Sequence, residues 1–233
     1  MILLRRSCDR GHARLEWLDS RHTFSFAEYH DLQWMGFGPL RVLNEDRVVP
    51  GGGFAPHRHA NMEIVSYVIA GGLQHRDSIG NGSVIVPGDV QVMSAGAGIE
   101  HSEFNASQEQ AVHFLQIWIQ PDRLNAQPRY AQRHFPRESR RGALRLVASP
   151  DGVDGSLPIR QNARMFATVI AAGETLTHGL APGRRAWIQV VAGQLRLDGE
   201  TMLGAGDAAG ITQTEQIVLR ATSECEALLF DLP

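Results

Sequence analysis

The sequence contains no lysine; all 22 of its basic residues are arginine. Mechanisms that need a lysine amine, such as a P-loop phosphate contact or a Schiff base, are therefore excluded. Cysteine is nearly as scarce. Cys8 and Cys225 lie at opposite ends of the chain and form neither a CxxC pair nor a disulfide framework. They read as ordinary thiols of a reducing compartment. Long apolar runs are missing too. The opening Met-Ile-Leu-Leu is too short for a signal-peptide core, and nothing approaches the roughly 20 residues of a membrane-spanning helix. A cytoplasmic protein without membrane contact is expected. The net charge of −3 exerts no pull toward nucleic acid, and direct nucleic-acid binding is not expected.

What is present points to β-structure. Hydrophobic residues make up 43% of 233, enough for a sizeable core, and 24 Gly and 11 Pro without period indicate frequent turns. Short β-branched or aromatic runs recur between Gly-, Pro- and Asp-rich breaks. They are Leu40–Asn44, Ile64–Ile69, Val84–Val86, Val90–Met93, Val112–Ile119, Arg164–Ile170, Trp187–Val191 and Ile217–Leu219. Helical periodicity is scarce, so an all-β sandwich or barrel is expected. The chain also repeats itself. Val65 to Leu73 followed by Pro87-Gly88-Asp89 has its counterpart in Ile188 to Leu195 followed by Gly204-Ala-Gly206-Asp207. Two barrels of one type in tandem are the simplest account. Between them, 122–145 carries seven Arg against Asp122 and Glu138 and reads as a solvated connector.

The chemistry lies in two residue pairs. His57 and His59 are i and i+2 and share one face of a strand, after the glycines Gly51–Gly53. His101 and Glu103 share a face in the same way, after a second Gly-rich turn. Packing alone does not explain two such pairs. Three imidazoles and a carboxylate suit one divalent transition ion: Fe, Ni, Co, Mn, Cu or Zn. Glu63 is an alternative fourth ligand, but it lies four residues beyond His59, about 13 Å further along a strand. His12, His22, His30, His75, His113 and His134 match no ligand spacing and read as structural or exposed. His113, Phe54, Met62, Phe114 and Gln116 are candidates to line a substrate pocket.

The stretch Gly51-x5-His57-x-His59-x3-Glu63-x7-Gly71 resembles the first cupin motif, and Gly88-x5-Ser94-x-Gly96-x4-His101-x3-Asn105 the second. Two extra residues before His101, and Ser in place of Pro, are marks of the pirin family. His22-Thr-Phe-Ser-Phe26, Leu40-Arg-Val-Leu-Asn44, Met62-Glu-Ile64, His75-Arg-Asp-Ser78 and Met93 to Glu103 are similar to bacterial pirins in the same order. The resemblance covers nearly the whole chain. It implies two tandem cupin, jelly-roll-type barrels (a bicupin), read here as a metal-binding barrel over 1–135 and a barrel without metal ligands over 136–233. It also implies Glu103 rather than Glu63 as the fourth ligand, with Glu63 orienting a ligand imidazole.

The activity implied is that of a quercetin 2,3-dioxygenase. Iron would be the first candidate for the metal, a flavonol and dioxygen the substrates, and carbon monoxide one product. Glu103 would act both as ligand and as base for the flavonol 3-hydroxyl. The resemblance also leaves room for a metal-dependent regulatory protein with a protein partner, or for another cupin enzyme. A monomer is expected. In the second half, His178 aligns with His57, nothing aligns with His59, and no histidine follows.

Overall fold

Side-chain alternation becomes burial in the strands that matter most. In Ile99–Asn105 the residues Ile99, His101, Glu103 and Asn105 face inward and are buried, while their neighbours are not. The nearly unbroken apolar runs Glu63–Ala70 and Val112–Ile119 are buried along most of their length, as central strands covered on both faces. The computed structural model describes residues 1–233 and is built almost wholly of strands, with one short α-helix at Arg137–Arg140. By contact pattern it divides into two units. Gly11–His134 join Leu157–Gln161, and Met1–Arg10 join Phe135–Ser156 and Asn162–Pro233. The protein is a two-barrel, all-β chain.

The N-terminal unit pairs a larger sheet with a four-stranded one. The larger runs Arg129–His134, Asp89–Ser94, Glu63–Ala70, Val112–Ile119, Leu40–Val48, Leu18–His22, Gly11–Arg14. The smaller runs Gly53–His59, Ile99–Asn105, Leu73–Asp77, Gly82–Ile85. All the pairings are antiparallel. Two apolar clusters fill this unit. One gathers Leu18, Val48, Val68, Leu73, Ile85, Val112 and Phe114, and the other Ile64, Met93, Ala95 and Ile99. In the C-terminal unit, Thr175–Gly179, Gln216–Ala221, Gln194–Leu197 and Thr201–Gly204 form the small sheet. Ala208–Ile211, Arg185–Ala192, Cys225–Leu232 and Arg164–Ile170 are successive neighbours in the larger one.

Two expectations are corrected. The strand beginning at Leu40 does not stop at Asn44 but runs to Val48, through Glu45 and Asp46. Asp46 is buried there and accepts a hydrogen bond from the Ser20 hydroxyl at 2.5 Å, which is what lets a charged sequence continue as an inner strand. The Arg-rich segment 122–145 is not simply a solvated connector. Arg129–His134 is a strand paired with Asp89–Ser94, and Arg140 is buried against Glu226 at 2.7 Å.

Candidate metal centre

The four predicted ligands come from two adjacent strands of the small sheet. His101 sits directly opposite His57, and the register then shifts so that Glu103 faces Phe54. Ala55 and Pro56 together oppose Ser102, a bulge at the residue that has no N–H to give to the ladder. Gly53 makes the close approach workable: a Cβ there would overlap the Glu103 carbonyl and the Phe104 Cα. Gly96, in the turn before His101, has φ +51°, and a Cβ would collide with the Ala126 carbonyl.

The imidazoles of His57, His59 and His101 form a triangle with ring centroids 4.7, 4.4 and 4.9 Å apart. Their ligand atoms lie within 4.8 Å of one another, and His75, His101 and Glu103 form a second such group that shares His101. His57 Nδ1 donates to the Ala55 carbonyl at 2.8 Å, which leaves Nε2 as the lone-pair atom. His101 Nε2 is buried and has no hydrogen-bond partner. A buried imidazole nitrogen without a partner is costly unless something binds it, and a metal ion fits the requirement. Burial, reinforced by the neighbouring His57, lowers His59 to about 4. Burial together with the surrounding histidines lowers His101 to about 2. Both rings are thus held neutral, the form that ligates.

Glu103 is 2% exposed. Its Oε2 accepts from Gln116 Nε2 at 2.6 Å and its Oε1 from the Ser66 hydroxyl at 3.2 Å. Burial, with the charge of Asp46 nearby, pushes the carboxyl up to about 7 despite these donors. The other pocket candidates are spread out. Phe54 packs edge-on against Trp17, with its centroid 6.3 Å from that of His57. Met62 packs with Trp118 against the Ile64 cluster, and Phe114 is wholly buried among Val68, Leu73 and Ile85. Trp118 stands edge-on to His59 at 4.9 Å. A cavity of about 540 Å³, bounded by Arg58, His59, Ala60, Ser78 and the Ala97–Glu100 turn, opens at His59. Arg58 is paired with Glu100 at 3.3 Å.

One sequence reading fails here. Glu63 does not orient an imidazole: it accepts from the Ser94 hydroxyl at 2.6 Å and from the Arg160 backbone N–H at 3.1 Å. His75, read as structural or exposed, is structural, and it stands beside the site. It is fully buried, pairs opposite Glu103, and brings Nδ1 to 3.5 Å from Nδ1 of His101. Alternation along Leu73–Asp77 was the available signal, since it turns Leu73 and His75 inward together. His12, His113 and His134 instead pair with Asp19, Glu45 and Asp89.

Comparison with known proteins now adds to this geometry. Residues 4–119 match the Pirin family model, and residues 146–232 match the model described as the quercetinase C-terminal cupin domain. A protein named quercetin 2,3-dioxygenase from Escherichia coli K12 is 44% identical over 233 residues, covering 100% of this chain and 99% of its own. A pirin-like protein from Caulobacter vibrioides is 40% identical, with 95% of each chain covered. The crystal structure of the bacterial pirin YhhW from Escherichia coli in complex with nickel(II) superposes with a TM-score of 0.96 at 44% identity, covering 100% of this chain and 99% of that one.

Proposed function

The chain belongs to the pirin family, and on that premise we propose that it is a metal-dependent dioxygenase of the quercetin 2,3-dioxygenase type. One divalent transition ion per chain is assigned to His57, His59, His101 and Glu103 of the N-terminal unit. The observation that carries the reading is the buried, unpartnered Nε2 of His101 in a cluster of three imidazoles, with the buried Glu103 two residues along the same strand. The ion supplies Lewis-acid polarisation of a flavonol's oxygens and a common locus for flavonol and dioxygen.

The protein's own groups do the rest. Glu103, a ligand through one carboxylate oxygen, has a second oxygen with which to take the proton of the flavonol 3-hydroxyl. Gln116 and Ser66 hold that carboxylate in place while it does so. The cavity at His59 is of small-molecule size. Trp118 packs edge-on against His59 behind it. Phe54, Met62 and Phe114 pack in or against the apolar clusters of the barrel rather than on that cavity. Ring opening consumes one dioxygen and releases carbon monoxide and a depside, which balances the atoms.

The donor set admits several ions. Iron is the first assignment, and nickel, which the Escherichia coli structure holds, is the second. The candidate ligands all come from one chain, and a monomer is proposed as the unit of function. The test is aerobic incubation with quercetin, following its absorbance and carbon monoxide before and after chelation. Loss of quercetin that stops on chelation and returns with metal is the expected result. Turnover indifferent to chelation, or none after metal loading, overturns the reading.

A further inference from the structure

Behind His101 lies a chain of buried groups that the proposed chemistry does not use. His75 Nδ1 stands 3.5 Å from His101 Nδ1, and Gln91 Nε2 reaches the same His75 atom at 3.3 Å. On the opposite edge of the ring, His75 Nε2 lies 3.2 Å from Asp77 Oδ2. Asp77 is itself pinned, accepting from the backbone N–H groups of Ile79 and Asn81 and from the Asn81 amide. Tyr130 stacks on the His75 ring, 4.9 Å between centroids and 25° between planes, and is tied at 2.5 Å to Ser83. The ring is thus contacted at both nitrogens and on one face.

Hydrogen-bond logic then assigns the protons. Asp77 only accepts, so His75 Nε2 carries the hydrogen. In the neutral ring, Nδ1 of His75 is left bare. Its single lone pair is shared between the Gln91 amide and His101 Nδ1, and a bare Nδ1 on His101 would set two lone pairs against each other. His101 is therefore protonated at Nδ1, and its Nε2, the atom without a partner, holds the free lone pair. We infer that His75, braced by Asp77, is a positioning residue that sets the tautomer of His101 and so offers Nε2 to the metal. His57 uses a backbone carbonyl for the same purpose. An imidazole bound to a carboxylate is a stronger acceptor, and such outer partners commonly govern affinity. The inference rests on the metal-centre reading above.

The first measurement needs neither metal nor variant. Two-bond ¹⁵N–¹H correlation spectra of the metal-free protein should show His75 as the Nε2–H tautomer and His101 as the Nδ1–H tautomer. The reverse assignment overturns the proposal. The second compares Co(II) affinity, by chelator competition, and the Co(II) visible spectrum for the parent, His75→Leu and His75→Asn. His75→Leu should lose about 10–100-fold in affinity and alter the spectrum. His75→Asn, with Oδ1 where Nδ1 stood, should recover most of both. A leucine variant matching the parent, or leucine and asparagine variants losing equally, would show that His75 only packs. A parent that does not bind Co(II) defeats the metal-centre reading itself, a result distinct from either.

Discussion

The two barrels place different chemistry at matching positions. In the N-terminal unit His57 faces His101 across the small sheet, and Glu103, two residues on, faces His75 on the next strand. In the C-terminal unit His178 faces Ile217, and Leu219, two residues on, faces Leu197. Two residues after His178, where the first barrel has His59, stands the buried Leu180. Leu180, Leu197, Ile217 and Leu219 belong to one continuous apolar core. His178 is left to bind Asp231 at 3.0 Å, and Arg184 holds the same carboxylate.

The strand positions themselves are indifferent to role. Filled with leucine they close a core, each such side chain contributing about 1.5–3 kcal/mol on burial. Filled with histidine and glutamate they make a site, and the buried carboxyls weaken the fold that holds them.

That contrast can be broken from either side. The largest effect is expected at His101→Ala, which should lower metal affinity by more than about 100-fold and abolish turnover, while the matching Ile217→Ala leaves metal binding intact. Metal titration by competition checks both. Glu103→Gln should keep some metal and lose most quercetin turnover; full activity there would remove Glu103 from the role of base. In the other barrel, Leu219→Ala should cost about 2–5 kcal/mol of stability, read by denaturant unfolding, with metal affinity unchanged.

Metal binding should also strengthen with pH, about tenfold per unit while Glu103 is protonated, and level off above about 7. His59 and His101 are already neutral well below that range, so they add no step there. Calorimetry in buffers of different ionisation enthalpy should detect net proton release on metal binding at pH 6, and Glu103→Gln should reduce it by about one proton per ion.

A further pH effect is expected at Asp46, which burial raises from 3.8 to about 7. An acid whose folded value is raised keeps its proton in the native state while the unfolded chain has lost it. The parent therefore loses stability as pH climbs from about 4 to about 7. Asp46→Asn removes that titration, so its stability relative to the parent should rise across this window and then plateau. Paired urea melts of the metal-free proteins at pH 5 and pH 8 test the sign.

Much of this was legible in the sequence because the signals are local. Val112–Ile119 and Arg164–Ile170 form strands with the bounds that their apolar runs suggested. The pairs His57/His59 and His101/Glu103 were visible because a strand turns alternate residues to one face, whatever lies beyond it. The strand through Asp46 was cut short, since nothing near it in sequence announces Ser20, 26 residues away, as its partner.

By itself, then, the sequence determined the architecture, the repeat and which residues could bind a metal, since period-2 alternation and Gly turns are properties of adjacent residues. Only the tertiary structure decided which residues stand beside the candidate ligands. Glu63 went to Ser94 and Arg160, and His75 went to His101, because register between strands sets these contacts across 26 to 97 residues of chain. No local pattern encodes such a distance.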